Sequence, residues 1–194
     1  MKKLTASDYR ISDWSGGKTI QIAIAPEDAL YADRTFIWRL SSATVDLDES
    51  EFTSLPDYLR FIAPLSGEME LTHNGGDPVM LAPYEVHRFD GADSTHSRGR
   101  CTDFNLMLRK GVCDGSISGL RADRDTVQTF LPEPDAETVI IYCAEGSVSV
   151  SCGEESAELT EREALLLEGG AIGPLKIAFQ EGTGAMCAQI RRIR

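Results

Sequence analysis

The 194-residue chain reads as an all-β protein built from two barrel-like halves. Three observations predict this. Apolar residues recur with period two in short runs, and Gly, Pro, Asn and Asp punctuate those runs every few residues. The second half of the chain also echoes the first. Many short strands with frequent turns belong to sandwiches and barrels, and only a few short helices are expected, at 126–130 and 161–164.

The elements follow in order. Ile20, Ile22 and Ile24 alternate with Thr19, Gln21 and Ala23, as a half-buried strand requires. Phe36, Trp38 and Leu40 form one face of the next run, and Ile37, Arg39, Ser41, Ala43 and Val45 form the other. Further strand-like runs lie at 58–65, 68–71, 79–81, 86–89 and 104–109. Turns separate them, among them Asn74-Gly75-Gly76-Asp77-Pro78 and Asp90-Gly91-Ala92-Asp93.

Setting Gly67 on Gly146 places Met69 on Val148, Leu71 on Val150 and Phe61-Ile62 on Ile140-Ile141. One residue less places Phe89-Asp90-Gly91 on Leu167-Glu168-Gly169. The segment 111–137, rich in Gly, Asp, Arg and Pro, reads as the connection. The expected division is therefore residues 1–115, carrying the site, and residues 116–194, structural, in one compact unit. In this alignment Arg60 stands opposite Val139, His73 opposite Cys152 and His87 opposite Leu165, so the polar equipment lies in the first half.

Nineteen Lys and Arg against 31 Asp and Glu give a net charge of −12. Such a surface repels phosphate backbones and anionic lipid, so neither nucleic acid nor a membrane is an expected partner. The opening segment lacks the apolar core of a secretory signal, and no run reaches the length of a bilayer span. Five cysteines, at 101, 113, 143, 152 and 187, form no C-x-x-C pair and are odd in number. A reduced, cytoplasmic setting is expected, with the thiols serving as small core residues.

No metal or other cofactor is expected. The histidines at 73, 87 and 96 form no H-x-H, and His73 and His96 stand in polar turn contexts that read as exposed. His87, on a face with Phe89 and Glu85, is the better candidate of the three. There is no G-x-S-x-G elbow, and the one cysteine in an electropositive setting, Cys101, follows Arg98 and Arg100, a pair that reads as a solvated turn.

Two arginines stand out. Arg39 and Arg60 are embedded in apolar strand sequence, where a guanidinium is expensive unless paired. Asp103 and Asn105 share a face with Met107 and offer partners. Two readings are open: a buried Arg–Asp–Asn network that fixes strand register, or a pocket in which arginines grip a carboxylate and Asn105 reads an amide or formyl group.

The same residues carry a resemblance. Trp14-Ser15-Gly16-Gly17-Lys18-Thr19 and Phe36-Ile37-Trp38-Arg39-Leu40-Ser41-Ser42-Ala43-Thr44-Val45 resemble signatures of the HutD/Ves family. Phe52-Thr53-Ser54-Leu55-Pro56, Arg60, Leu65-Ser66-Gly67, Phe89-Asp90-Gly91 and Asp103-Phe104-Asn105-Leu106-Met107-Leu108-Arg109 continue in the family's order. The resemblance implies a cupin-like double β-barrel, or bicupin. It brings no established reaction. For the histidine-utilisation members it implies binding of a small pathway product, such as a formylated or formimino glutamate; other members are linked to environmental stress.

The expected function is that of a non-catalytic protein binding a small anionic metabolite, with formylglutamate as an example. Its site would comprise Trp38, Arg39, Ser41, Arg60, His87, Phe89, Asp103, Asn105 and Met107. Two other classes compete. One is a cupin-type enzyme working through His87 and a carboxylate such as Glu85 or Asp103. The other is a structural module, forming a homodimer through an exposed sheet edge.

Overall fold

The computed structural model describes residues 1–193. Nineteen strands run through them. In chain order they are β1 (Lys2–Leu4), β2 (Arg10–Trp14), β3 (Gly17–Ala25), β4 (Trp38–Val45), β5 (Glu49–Glu51), β6 (Tyr58–Gly67) and β7 (Met69–His73). Next come β8 (Val79–Leu81), β9 (His87–Asp90), β10 (Thr95–Arg98), β11 (Cys101–Arg109), β12 (Cys113–Ala122) and β13 (Thr126–Phe130). The chain ends with β14 (Thr138–Glu145), β15 (Ser147–Cys152), β16 (Glu155–Thr160), β17 (Ala164–Glu168), β18 (Leu175–Phe179) and β19 (Thr183–Arg192). The helical content of the described residues is a single 3-10 turn, Tyr31–Asp33. None of it is long and apolar enough to cross a membrane.

The helical turn expected at 126–130 is a strand instead. Its Thr126, Val127, Thr129 and Phe130 are strong β formers, and all five residues of β13 pair with β18. Residues 161–163 form a tight turn, with Arg162 in the left-handed region at φ 66°, and Ala164 already opens β17. The segment expected to be a connection likewise holds β12 and β13.

The strand order reveals an eight-strand duplication. In the first unit, sheets ordered β4-β11-β6-β9 and β5-β10-β7-β8 face one core. In the second, β12-β19-β14-β17 and β13-β18-β15-β16 repeat both orders, each strand eight places further along. Every pairing given for these sheets is antiparallel. Gly67 and Gly146 adopt nearly the same left-handed conformation, at φ 74° and 73°, at the corresponding turns. A side chain at Gly67 would also strike the Arg100 carbonyl, its Cβ lying 2.4 Å from that oxygen.

The two units differ in their additions. The hairpin β2–β3 extends the first unit's large sheet beyond β4. The short β1 instead joins the second unit, pairing Lys2 with Leu166 and Leu4 with Ala164 of β17. The compact units are thus residues 9–114 on one hand and residues 1–8 with 115–193 on the other. This corrects the expected division, which placed residues 1–8 with the first half: Leu4 is buried, and its strand satisfies the open edge of β17.

Candidate functional site

The large sheet of the first unit positions the polar residues in rows. Residues in register on neighbouring antiparallel strands share a face, so the pairings can be read straight across. One row runs Ile24, Arg39, Met107, Arg60, Phe89 over β3, β4, β11, β6 and β9. The next runs Gln21, Ser41, Asn105, Ile62, His87. A third contains Thr19, Ala43, Asp103 and Pro64. Two bulges make these rows line up. One lies between Gln21 and Ala23, the other opposite Thr102 and Asp103.

Eight of the nine expected site residues therefore lie on one face. Trp38 does not. It pairs with Leu108, one residue out of phase with Arg39, and shares the opposite face with Leu40 and Leu106. Strand alternation excludes it from the polar rows.

Both arginines are buried, Arg39 at 5% and Arg60 at 6% exposure. Arg39 Nε donates to Gln21 Oε1 at 2.9 Å, and its Nη1 donates to Ser41 Oγ at 3.1 Å. Arg60 has only a long bond, 3.5 Å from Nη1 to the Thr53 carbonyl, and its buried Nε has no partner. Its guanidinium lies against the Phe52 and Phe89 rings, 4.8 and 5.0 Å from their centroids. Burial pushes Arg60 down to about 10, which still leaves it cationic at neutral pH. Burial lowers Arg39 as well.

Of the two open readings, the Arg–Asp–Asn network has no hydrogen bond or ion pair joining its members among the described residues. No ion pair joins Asp103 to either arginine. Asp103 Oδ1 instead accepts the Ala43 backbone N–H at 3.1 Å. Burial pushes its carboxyl up to about 7, against that hydrogen bond and the pull of Arg60 and Arg39. Asn105 is 5% exposed, and its buried Oδ1 has no partner. The face thus holds two guanidiniums with spare donors, a carboxyl that forms no ion pair with them and a buried amide oxygen without a partner.

His87 joins this face through a neighbour that sequence reasoning placed in solvent. His73, at the end of β7, is half-buried, with Nε2 2.9 Å from His87 Nε2 and Nδ1 2.9 Å from Thr95 Oγ1. The two imidazoles stack at 5.0 Å, and Phe89 lies 4.9 Å from His73. Burial lowers both histidines, so a neutral pair sharing one N–H···N bond is the favoured state. His96 is apart, 2.8 Å from Glu51. Glu85 is also apart, accepting the Ala82 N–H in a turn. No three His, Cys, Asp or Glu side chains converge on a metal position among the described residues.

Sequence reasoning also missed Gln21, Tyr31, Arg34 and Phe52. Gln21 was hidden by the bulge that re-phases β3, and the others lie in loops, where alternation gives no face.

The sequence profile of the HutD family matches residues 6–187. The chain belongs to the HutD family. Two solved structures resemble it over nearly their whole length. HutD from Pseudomonas fluorescens SBW25, determined in a formate condition, is 28% identical at a TM-score of 0.77, covering 100% of this chain and 99% of that one. The conserved protein of unknown function PA5104 from Pseudomonas aeruginosa PAO1 is 24% identical at a TM-score of 0.82, covering 98% of each chain. A cupin 2 conserved barrel domain protein from Leptotrichia buccalis shares the fold, at 11% identity and a TM-score of 0.55, over 98% of this chain and 96% of that one. No curated protein sequence matches the chain. The fold is cupin-like and double, as the motifs implied.

Within this HutD-family fold the second unit supplies a comparison. The counterparts of Arg60, Asn105, Asp103, His87 and Phe89 by register are Val139, Cys187, Ala185, Leu165 and Leu167. All five belong to one apolar core with Val148, Val150 and Ile177. At these five positions the sheet face carries apolar core side chains in one unit and guanidinium, amide, carboxyl, imidazole and phenyl groups in the other.

Proposed function

We propose that the first unit binds a small carboxylate that also carries an amide or formyl group, and that the protein is a non-catalytic metabolite-binding member of its family. One observation carries this reading: two buried guanidiniums share a row with no acid paired to them, beside an unpartnered amide oxygen. Leaving such groups unpaired is unfavourable unless a ligand completes them. Arg39 and Arg60 would hold the carboxylate, Asn105 would meet the amide, and Ser41, Met107, Phe89 and His87 would border the site.

The motif resemblance favours formylglutamate or formiminoglutamate as the ligand and modulation of histidine utilisation, or of a stress response, as the outcome. Formate, the condition named for the Pseudomonas fluorescens HutD, is the smallest carboxylate that tests the arginine pair. The odd number of cysteines and the lack of any C-x-x-C pair support a reducing, cytoplasmic setting.

Titration calorimetry with N-formyl-L-glutamate, N-formimino-L-glutamate, urocanate and formate tests the reading. Binding of a carboxylate to the parent and its loss in Arg60→Met are expected. If none of the four binds, or if Arg39→Met and Arg60→Met bind as well as the parent, the reading fails.

A further inference from the structure

The loop 26–37, between β3 and β4, brings a third cation and a phenol to the arginine row. Its 3-10 turn ends at Arg34, whose left-handed conformation, at φ 55°, folds the guanidinium back over the Tyr31 ring, 3.9 Å from the centroid. Arg39 approaches the same ring at 4.4 Å. Tyr31 is thus contacted by two guanidiniums. It also packs against the cluster of Ile24, Phe36, Leu55, Tyr58 and Met107, the last being the residue that separates Arg39 from Arg60.

The loop is held in place independently of Tyr31. Tyr58 Oη lies 2.9 Å from the carbonyls of both Arg34 and Phe36. Arg109 donates from Nη2 to the Arg34 carbonyl and from Nε to the Phe36 carbonyl at 3.0 Å. The Ile37 N–H closes the loop onto the Ala25 carbonyl at 2.6 Å. The backbone carbonyls are therefore satisfied by β6 and β11, whereas the Tyr31 hydroxyl has no hydrogen-bond partner among the described residues. The buried Nη1 of Arg34 has no partner either.

We propose that Tyr31 is a direct ligand contact of this site, its hydroxyl donating a hydrogen bond to the anion that Arg39 and Arg60 hold, while Arg34 clamps the ring from the other side. The proposal rests on the anion-binding reading above. A phenol O–H aimed at a carboxylate adds a neutral donor where a further guanidinium would add repulsion among cations already close together. The arrangement selects for an acceptor lodged between the two strand arginines, and it gives the loop a role that its anchoring alone does not need.

Calorimetry on the full chain with N-formyl-L-glutamate and with sodium formate, comparing the parent, Tyr31→Phe and Arg60→Met, tests it. Tyr31→Phe keeps the ring between the guanidiniums and loses only a hydroxyl without a protein partner, so its melting temperature should equal the parent's. Its affinity should fall about tenfold or more, the loss of one hydrogen bond to a charged acceptor. Ligand saturation should also perturb the tyrosine ultraviolet absorbance of the parent, with that component missing in Tyr31→Phe. If Tyr31→Phe binds as tightly as the parent while Arg60→Met loses binding, Tyr31 is not a contact and the site reading stands. If Arg60→Met binds like the parent, or the parent binds neither probe, the site reading fails and Tyr31 loses its role with it.

Discussion

Arg39 and Arg60 flank the same residue: each stands in register with Met107, one on either side of β11. Two strand spacings, about 10 Å, separate their backbones, close enough for two long side chains to reach one small anion. Their bonding differs. Arg39 is held by Gln21 and Ser41, while Arg60 is held mainly by aromatic faces.

That difference gives opposite expectations for stability. Arg39→Met strands the Gln21 and Ser41 oxygens and should cost about 1–3 kcal/mol in urea unfolding. Arg60→Met removes a buried cation with one long bond and should leave stability within about 1 kcal/mol of the parent, or raise it. A substantial loss in Arg60→Met would mean that its guanidinium has protein partners equivalent to those of Arg39.

Asp103 sets one pH dependence. Its folded value of about 7 lies above the ordinary 3.8, so the folded state binds the proton more tightly. Its contribution to stability is complete below about pH 4 and is lost as pH rises towards 7, at up to about 1.4 kcal/mol per unit. Anion affinity should fall over the upper part of that range, because the ionised carboxyl repels a carboxylate ligand. Asp103→Asn should flatten both curves, and a variant that keeps the parent's curve would assign the dependence to another group.

The histidine pair acts in the reverse sense. His73 and His87 are held below the ordinary 6.5, chiefly by burial. The unfolded chain therefore takes up protons first as pH falls below about 6.5, and the pair's stabilisation is lost in that direction. Subtracting the pH–stability curve of His87→Asn from the parent's should isolate a component rising with pH. Nitrogen-15 spectra of the imidazoles should show neutral rings at pH 7; two protonated rings there would contradict the short Nε2···Nε2 contact.

Gly67→Ala should be among the most damaging small substitutions in the first unit. It places a side chain in the left-handed region and against the Arg100 carbonyl, next to the bulge that aligns Asp103 with Pro64. A loss of about 2 kcal/mol or more is expected in thermal or urea unfolding. A neutral result would mean that the turn accommodates a different backbone path.

Much of this face was legible from alternation alone. Arg39 with Ser41, Asp103 with Asn105 and Met107, and His87 with Phe89 each share the face that period two assigns them. Trp38 shows the limit of motif reading, because a residue can sit inside a signature yet point away from its neighbours' site. Gln21 shows the limit of parity. One extra residue at Ile22 leaves Gln21 and Ile24, rather than Gln21 and Ala23, on the arginine face. His73 and Tyr31 were illegible for another reason: their partners come from remote strands, and no local pattern encodes that meeting.

The path of the chain through the two units has a mechanical corollary. Residues 9–114 leave and re-enter through β1 and β12, both strands of the second unit's large sheet, so the arginine-bearing unit is an insertion in the chain path of the other. Tension applied at both ends of the chain would be borne first by the hydrocarbon-filled sheet, peeling β1 from β17, while the arginine-bearing face stayed slack behind that junction.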